Sequence, residues 1–99
     1  MMLKKHYSKT GKVCRVTFKL PAEVQAVTAV LCGDFNNWDI EDSPMKRLKD
    51  GGFSKTISLP AGQSYRFRYL LDYSRWENDW EADAYVPNVH GSEDSLLQV

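Results

Sequence analysis

The chain has 99 residues, enough for one modest core but short of the roughly 200 or more that barrel and two-domain catalytic folds need. At 42% hydrophobic and 26% charged residues it is composed like an ordinary globular domain, which excludes a disordered chain. Thirteen basic and thirteen acidic residues cancel, so no net field selects nucleic acid or an anionic membrane as a partner.

The first residues, Met1-Met2-Leu3-Lys4-Lys5, lack the apolar stretch of a signal peptide, and no run approaches the ~18–20 apolar residues of a membrane helix. A cytoplasmic protein is therefore expected. Residues 1–11 read as a loose tail, leaving 12–99 as one domain. From Val13 to Leu20 the even positions Cys14, Val16, Phe18 and Leu20 are apolar while Arg15, Thr17 and Lys19 are polar, the period of a half-buried strand that Pro21 ends. Ala26–Cys32 is nearly continuously apolar and predicts a central strand buried on both faces, with Gly33-Asp34 as its exit. Phe35-Asn36-Asn37-Trp38-Asp39 is turn chemistry around two large aromatics.

Met45–Leu48 and Phe53–Leu59 flank Asp50-Gly51-Gly52, a strong hairpin signal that places Phe53, Ile57 and Leu59 on the inner face. After the Pro60-Ala61-Gly62 turn, Tyr65, Phe67, Tyr69 and Leu71 alternate with Arg66, Arg68 and Asp72, a strand whose polar face carries two arginines. Asp72-Tyr73-Ser74 turns into a short returning element at 75–77. Asn78–Asp94 reads as a long acidic excursion, and Leu96, Leu97 and Val99 form a last strand. Short strands with turn signals at regular spacing, and no helical stretch or repeat, predict an all-β sandwich.

Charge is unevenly spread. Residues 1–22 hold six bases and no acid, whereas residues 72–99 hold seven acids and one base, Arg75, a pattern of complementary surfaces or solvated edges. The only cysteines, Cys14 and Cys32, lie in apolar runs and read as buried free thiols, with a Cys14–Cys32 bridge as the less favoured alternative. Neither they nor His6 and His90 have metal-ligand spacing, and there is no phosphate-binding glycine loop, so no metal and no cofactor is expected. The acids cluster on loops (Asp39, Glu41, Asp42; Asp79, Glu81, Asp83; Glu93, Asp94), where solvation explains them better than a spaced acid/base pair.

Aromatic placement says more. Trp38, Trp76 and Trp80 all lie in polar, turn-rich segments. One such residue is ordinarily a plug at the end of a sandwich. An exposed pair can stack on the apolar face of a pyranose while polar neighbours, Asn37 among them, take its hydroxyls.

Gly33-Asp34-Phe35-Asn36-Asn37-Trp38, Pro44-Met45, Tyr65-Arg66-Phe67-Arg68-Tyr69, Asp72 with Trp76, and terminal Ser95-Leu96-Leu97-Gln98-Val99 together resemble carbohydrate-binding module family 48. That family includes the glycogen-binding domain of the AMP-activated protein kinase beta subunit and the N-terminal modules of isoamylases and glycogen branching enzymes. The resemblance implies an immunoglobulin-like (early-set) β-sandwich of about seven antiparallel strands. It also implies a non-catalytic module, of the type attached to α-amylase-superfamily enzymes, that binds α-1,4-glucan such as glycogen, starch or maltooligosaccharide. Its stacking tryptophans fall on Trp38 and Trp76, its basic sugar-binding residue on Arg68, and its remaining contacts on His90, Ser92 and Asp94. Two departures stand out: the leucine of that last loop is absent, and the hairpin before Trp76 is one residue longer. The alternative expectation, second to this one, is an interaction or regulatory module that docks on a separate glucan-active enzyme or scaffold without binding sugar.

Overall fold

The computed structural model describes all 99 residues. Alternation decides its two layers. In β1 (Met2–Tyr7), β2 (Val13–Leu20), β4 (Lys46–Arg47) and β5 (Phe53–Pro60), every pairing is antiparallel and the sheet order is β1-β2-β5-β4. The second sheet joins β3 (Ala29–Gly33), β6 (Ser64–Leu71), β9 (Glu93–Gln98) and β8 (Ala84–Pro87) in that order, with β7 (Arg75–Glu77) on β6. The two face each other as an immunoglobulin-like sandwich.

Cys14, Val16, Phe18 and Leu20 from β2 meet Tyr65, Phe67, Tyr69 and Leu71 from β6 across the core. Phe18 and Phe67 pack edge-to-face with centroids 5.3 Å apart, the arrangement aromatic rings prefer. Asp50 turns the β4–β5 hairpin, its carboxylate accepting from the Gly52 N–H at 2.8 Å.

Four expectations from the sequence are revised. Residues 2–7 are not tail but an edge strand paired along β2 from Met2↔Lys19 to Tyr7↔Cys14. Lys5 points inward there and reaches Asp83, just ahead of β8 of the other sheet, at 2.7 Å, closing one side of the sandwich. The apolar run after Ala26 forms a strand only from Ala29, because Val27 and Thr28 N–H groups are held by the Asp72 carboxylate. That strand is fully buried yet lies at the sheet's edge, where residues 43–45 cover it through Leu31 N–H to Ser43 O (3.0 Å) and Met45 N–H to Ala29 O (2.8 Å). Finally, the 78–94 excursion contains β8, which pairs with β9 from Ala84↔Leu96 to Pro87↔Glu93.

The cysteines are free, and their placement explains why. Cys14 packs in the core between the sheets, whereas Cys32 points to the outer face of the second sheet, in a separate cluster with Val30 and Leu70.

Candidate functional site

Antiparallel partners share a face, so the register fixes what the outer side of the second sheet presents: Cys32 beside Arg68, Leu70 beside Trp76, and Arg66 beside Leu96. Two loops rise over this face. One is Asp34–Asp39, leaving β3; the other is the β8–β9 turn, residues 88–92.

The first loop is built residue by residue. Gly33 is required because a Cβ there would lie 2.5 Å from the Arg66 carbonyl of the neighbouring strand. Asp34 accepts the Trp38 indole N–H at 3.0 Å and the Arg66 backbone N–H at 2.8 Å, one on each carboxylate oxygen. Phe35 turns inward, 6.0 Å from Phe18 and 6.1 Å from Tyr65. Asn36 accepts from the Gly33 N–H and donates to the Leu31 carbonyl, tying the loop back onto β3. Asn37 and Trp38 both take left-handed backbone angles, each with φ 57°, a conformation that costs energy for side chains of this size and recurs at binding sites. The outcome is a tryptophan laid over Val30, Cys32 and Leu70, with its N–H already engaged. Burial beneath this ring pushes the Cys32 thiol up to about 11, with the Asp39 carboxylate adding to the effect, so Cys32 stays a neutral, inert thiol.

Trp76 comes from the other direction, on β7. The β6–β7 hairpin turns on two left-handed residues, Asp72 and Tyr73. Asp72 accepts the Val27 and Thr28 N–H groups at 2.8 and 2.9 Å, bonds that hold its carboxyl below the usual range. So braced, β7 sets Trp76 against Trp38 with ring centroids 6.4 Å apart and planes inclined by 62°.

Between the tryptophans and the 88–92 turn lies a groove of about 630 Å³, lined by both rings, Arg66, Arg68, Asp94 and the stretch Asn88-Val89-His90. Arg66 donates to the Pro87 carbonyl at 3.0 Å and faces the Asp94 carboxylate at 3.5 Å. The other Asp94 oxygen accepts from the Asn88 amide at 3.1 Å. Arg68 forms no ion pair, and its Nε is buried without a hydrogen-bond partner. The groove thus offers two flat apolar faces, a free guanidinium and one carboxylate that is already paired. That suits a ligand with apolar faces and hydroxyls at its rim.

Of the seven residues singled out from the sequence, the structure gathers Trp38, Trp76, Arg68, His90 and Asp94 in the groove. Asn37 stays outside, exposed at the turn before Trp38, and Ser92 lines a neighbouring depression. Trp80 also lies elsewhere, half exposed beside Glu77, which its indole N–H reaches at 3.4 Å. Sequence reading missed Arg66, Asn88 and Val89. Arg66 was detectable as the companion of Arg68 two residues along the same polar face. Val89 is an apolar side chain 95% exposed at the turn.

The family model for carbohydrate-binding module 48, the isoamylase N-terminal domain, matches residues 4–86. The chain belongs to carbohydrate-binding module family 48. Family 48 modules are accessory domains that bind carbohydrate and are not themselves catalytic. The match begins within β1 and ends within β8, so it spans the loop that carries Trp38 and the strands that carry Arg66, Arg68 and Trp76. None of the curated proteins compared with the chain matches it. No helix is long and apolar enough to cross a membrane.

Proposed function

We propose that this family 48 module binds α-1,4-linked glucan in the Trp38–Trp76 groove and does not cleave it. The observation that carries the reading is the pair of tryptophan rings, 6.4 Å apart and inclined by 62°. A β-1,4 chain is a flat ribbon and needs coplanar platforms. An α-1,4 chain curves, so successive glucose rings present their faces at an angle, as these two indoles do. Arg68 stands beside them with unused donors, and the guanidinium fork suits a pair of neighbouring hydroxyls. His90 and Asp94 complete the rim, and Asp94 is the one carboxylate in the lining, already paired with Arg66.

An open groove of this kind desolvates few groups, so the affinity belongs in the ~10 µM to 1 mM range, about 4–7 kcal/mol. Isothermal titration with maltoheptaose tests it, with cellohexaose as the flat-chain control and circular dichroism to monitor folding. Maltoheptaose should bind, cellohexaose should not, and Trp38→Ala should abolish binding while remaining folded. A folded wild type that gives no heat with maltoheptaose overturns the reading, and points instead to a module that docks on protein.

A further inference from the structure

The β8–β9 turn is a thin wall. On its other side lies a second depression of about 730 Å³, lined by Tyr85, Pro87, Ser92 and Glu93 among others, and sharing Asn88 with the groove. Tyr85 is 41% exposed, and its ring is held rigidly: the hydroxyl donates to the Asp79 carbonyl at 2.5 Å and accepts the Ala82 N–H at 3.3 Å. Asp79 is itself fully buried, so the anchor does not move with the surface. Glu93 is exposed, and no basic side chain pairs with it.

We infer that this depression is a second sugar-binding subsite, in which one or more further glucose units of the same α-glucan chain, wrapping over the β8–β9 turn, stack on Tyr85 and bond Glu93 and Ser92. A rigid aromatic face beside a carboxylate and a hydroxyl is the composition sugar sites use, because the ring covers the apolar face of the pyranose and the acceptors take its hydroxyls. Continuity supplies the rest. The two concavities meet at Asn88, so a chain that leaves the groove over the turn enters the second depression directly. A second contact on a tethered chain adds affinity at high effective concentration, so the subsite converts a weak site for short oligosaccharides into a selective one for long chains. It also gives Ser92 a place in recognition outside the main groove.

This inference rests on the proposed glucan groove, and chain length separates the two. Affinities for maltotriose and maltodecaose are measured by titration on wild type, Tyr85→Ala and Tyr85→Phe, each checked for folding. Tyr85→Ala should weaken maltodecaose binding by about threefold to tenfold, the worth of one aromatic stack, and leave maltotriose unchanged. Tyr85→Phe, which keeps the ring, should retain most of the long-chain advantage. Should Tyr85→Ala prove unstable, Glu93→Ala on the exposed rim makes the same comparison, with a smaller loss confined to maltodecaose. Equal loss on both ligands, or on neither, overturns the subsite and leaves the groove standing. A wild type that binds neither oligosaccharide overturns groove and subsite together.

Discussion

Asp34 contributes to the site without facing the ligand. Its two carboxylate oxygens accept the Trp38 indole N–H and the Arg66 backbone N–H, so it fixes one indole of the groove relative to the strand that carries both groove arginines. The Trp38 N–H is thereby engaged, so in the proposed glucan site this residue would act through its face alone. If Asp34 works through that indole, Asp34→Ala should weaken maltoheptaose binding by about 3- to 10-fold in the wild-type background, the worth of one net hydrogen bond. In a Trp38→Phe background, which keeps an aromatic face but has no N–H to hold, it should cost no further affinity. Thermal melts provide the contrast, since loss of the Arg66 acceptor lowers stability in both backgrounds. An affinity loss of the same size in both would show that Asp34 supports the loop in general and not the ring. The same residues show what sequence could disclose. Trp38, Trp76 and Arg68 were legible because motif and alternation are local. Arg66's pairing with Asp94 and Asn88's place in the wall were not, because they exist only once the β8–β9 turn folds back over β6.

At the scale of elements, local rules failed where an edge disguised its pattern. β1 has Lys5 at an inward position that alternation would fill with an apolar residue, so its pattern disappears, although an inward lysine on an edge strand is a known guard against sheet-to-sheet aggregation. β8 ends at Pro87, which reads as a breaker but is tolerated at the edge of a sheet. β3 looked central because it is apolar throughout, yet it is an edge strand: Ala29 and Leu31 face the core, Trp38 packs over Val30 and Cys32, and residues 43–45 cover its free edge. By contrast β2, β5, β6 and the β6–β7 hairpin were legible, since period-two patterning and turn residues are written in the strand itself. That hairpin carries Trp76, and its brace is titratable. The Thr28 and Val27 N–H bonds favour ionised Asp72, so its folded pKa lies below the unfolded value of about 3.9. The stabilisation is therefore present above about pH 4 and is lost as pH falls through the folded pKa. Melting temperatures from pH 7 down to pH 2 should show this acid limb in the wild type and a shallower one in Asp72→Asn. Identical limbs would mean that Asp72 titrates alike in the folded and unfolded chain.

Taken whole, the molecule keeps the tryptophan groove and its stabilising core on opposite sides of one sheet. β6 is the shared element: Arg66 and Arg68 point outward to the groove, while Phe67 and Tyr69 point inward. The inward side includes Asp79, which is fully buried. Tyr69 donates to its Oδ2 at 2.7 Å, the Glu81 N–H to its Oδ1 at 2.8 Å, and its own N–H donates to Ser95 Oγ, so β6, β9 and the segment leading to β8 meet at this residue. Burial first, and then the Asp79 charge and hydrogen bond, push the Tyr69 hydroxyl well above its ordinary value. The raised folded pKa means that the contribution is fully present below about pH 10, where the unfolded tyrosine starts to ionise, and is lost as pH rises beyond it. Tyr69→Phe leaves Oδ2 of Asp79 without its donor and should cost about 1–3 kcal/mol at pH 7, read by urea unfolding. It should also flatten the alkaline limb of the stability profile, because the group that titrates there is gone. Maltoheptaose affinity of the folded variant should stay within about twofold of wild type, since nothing on the groove side of β6 has changed. A comparable fall in affinity would show instead that the Asp79 junction transmits to Trp76, and that the two faces of this sheet are one cooperative unit.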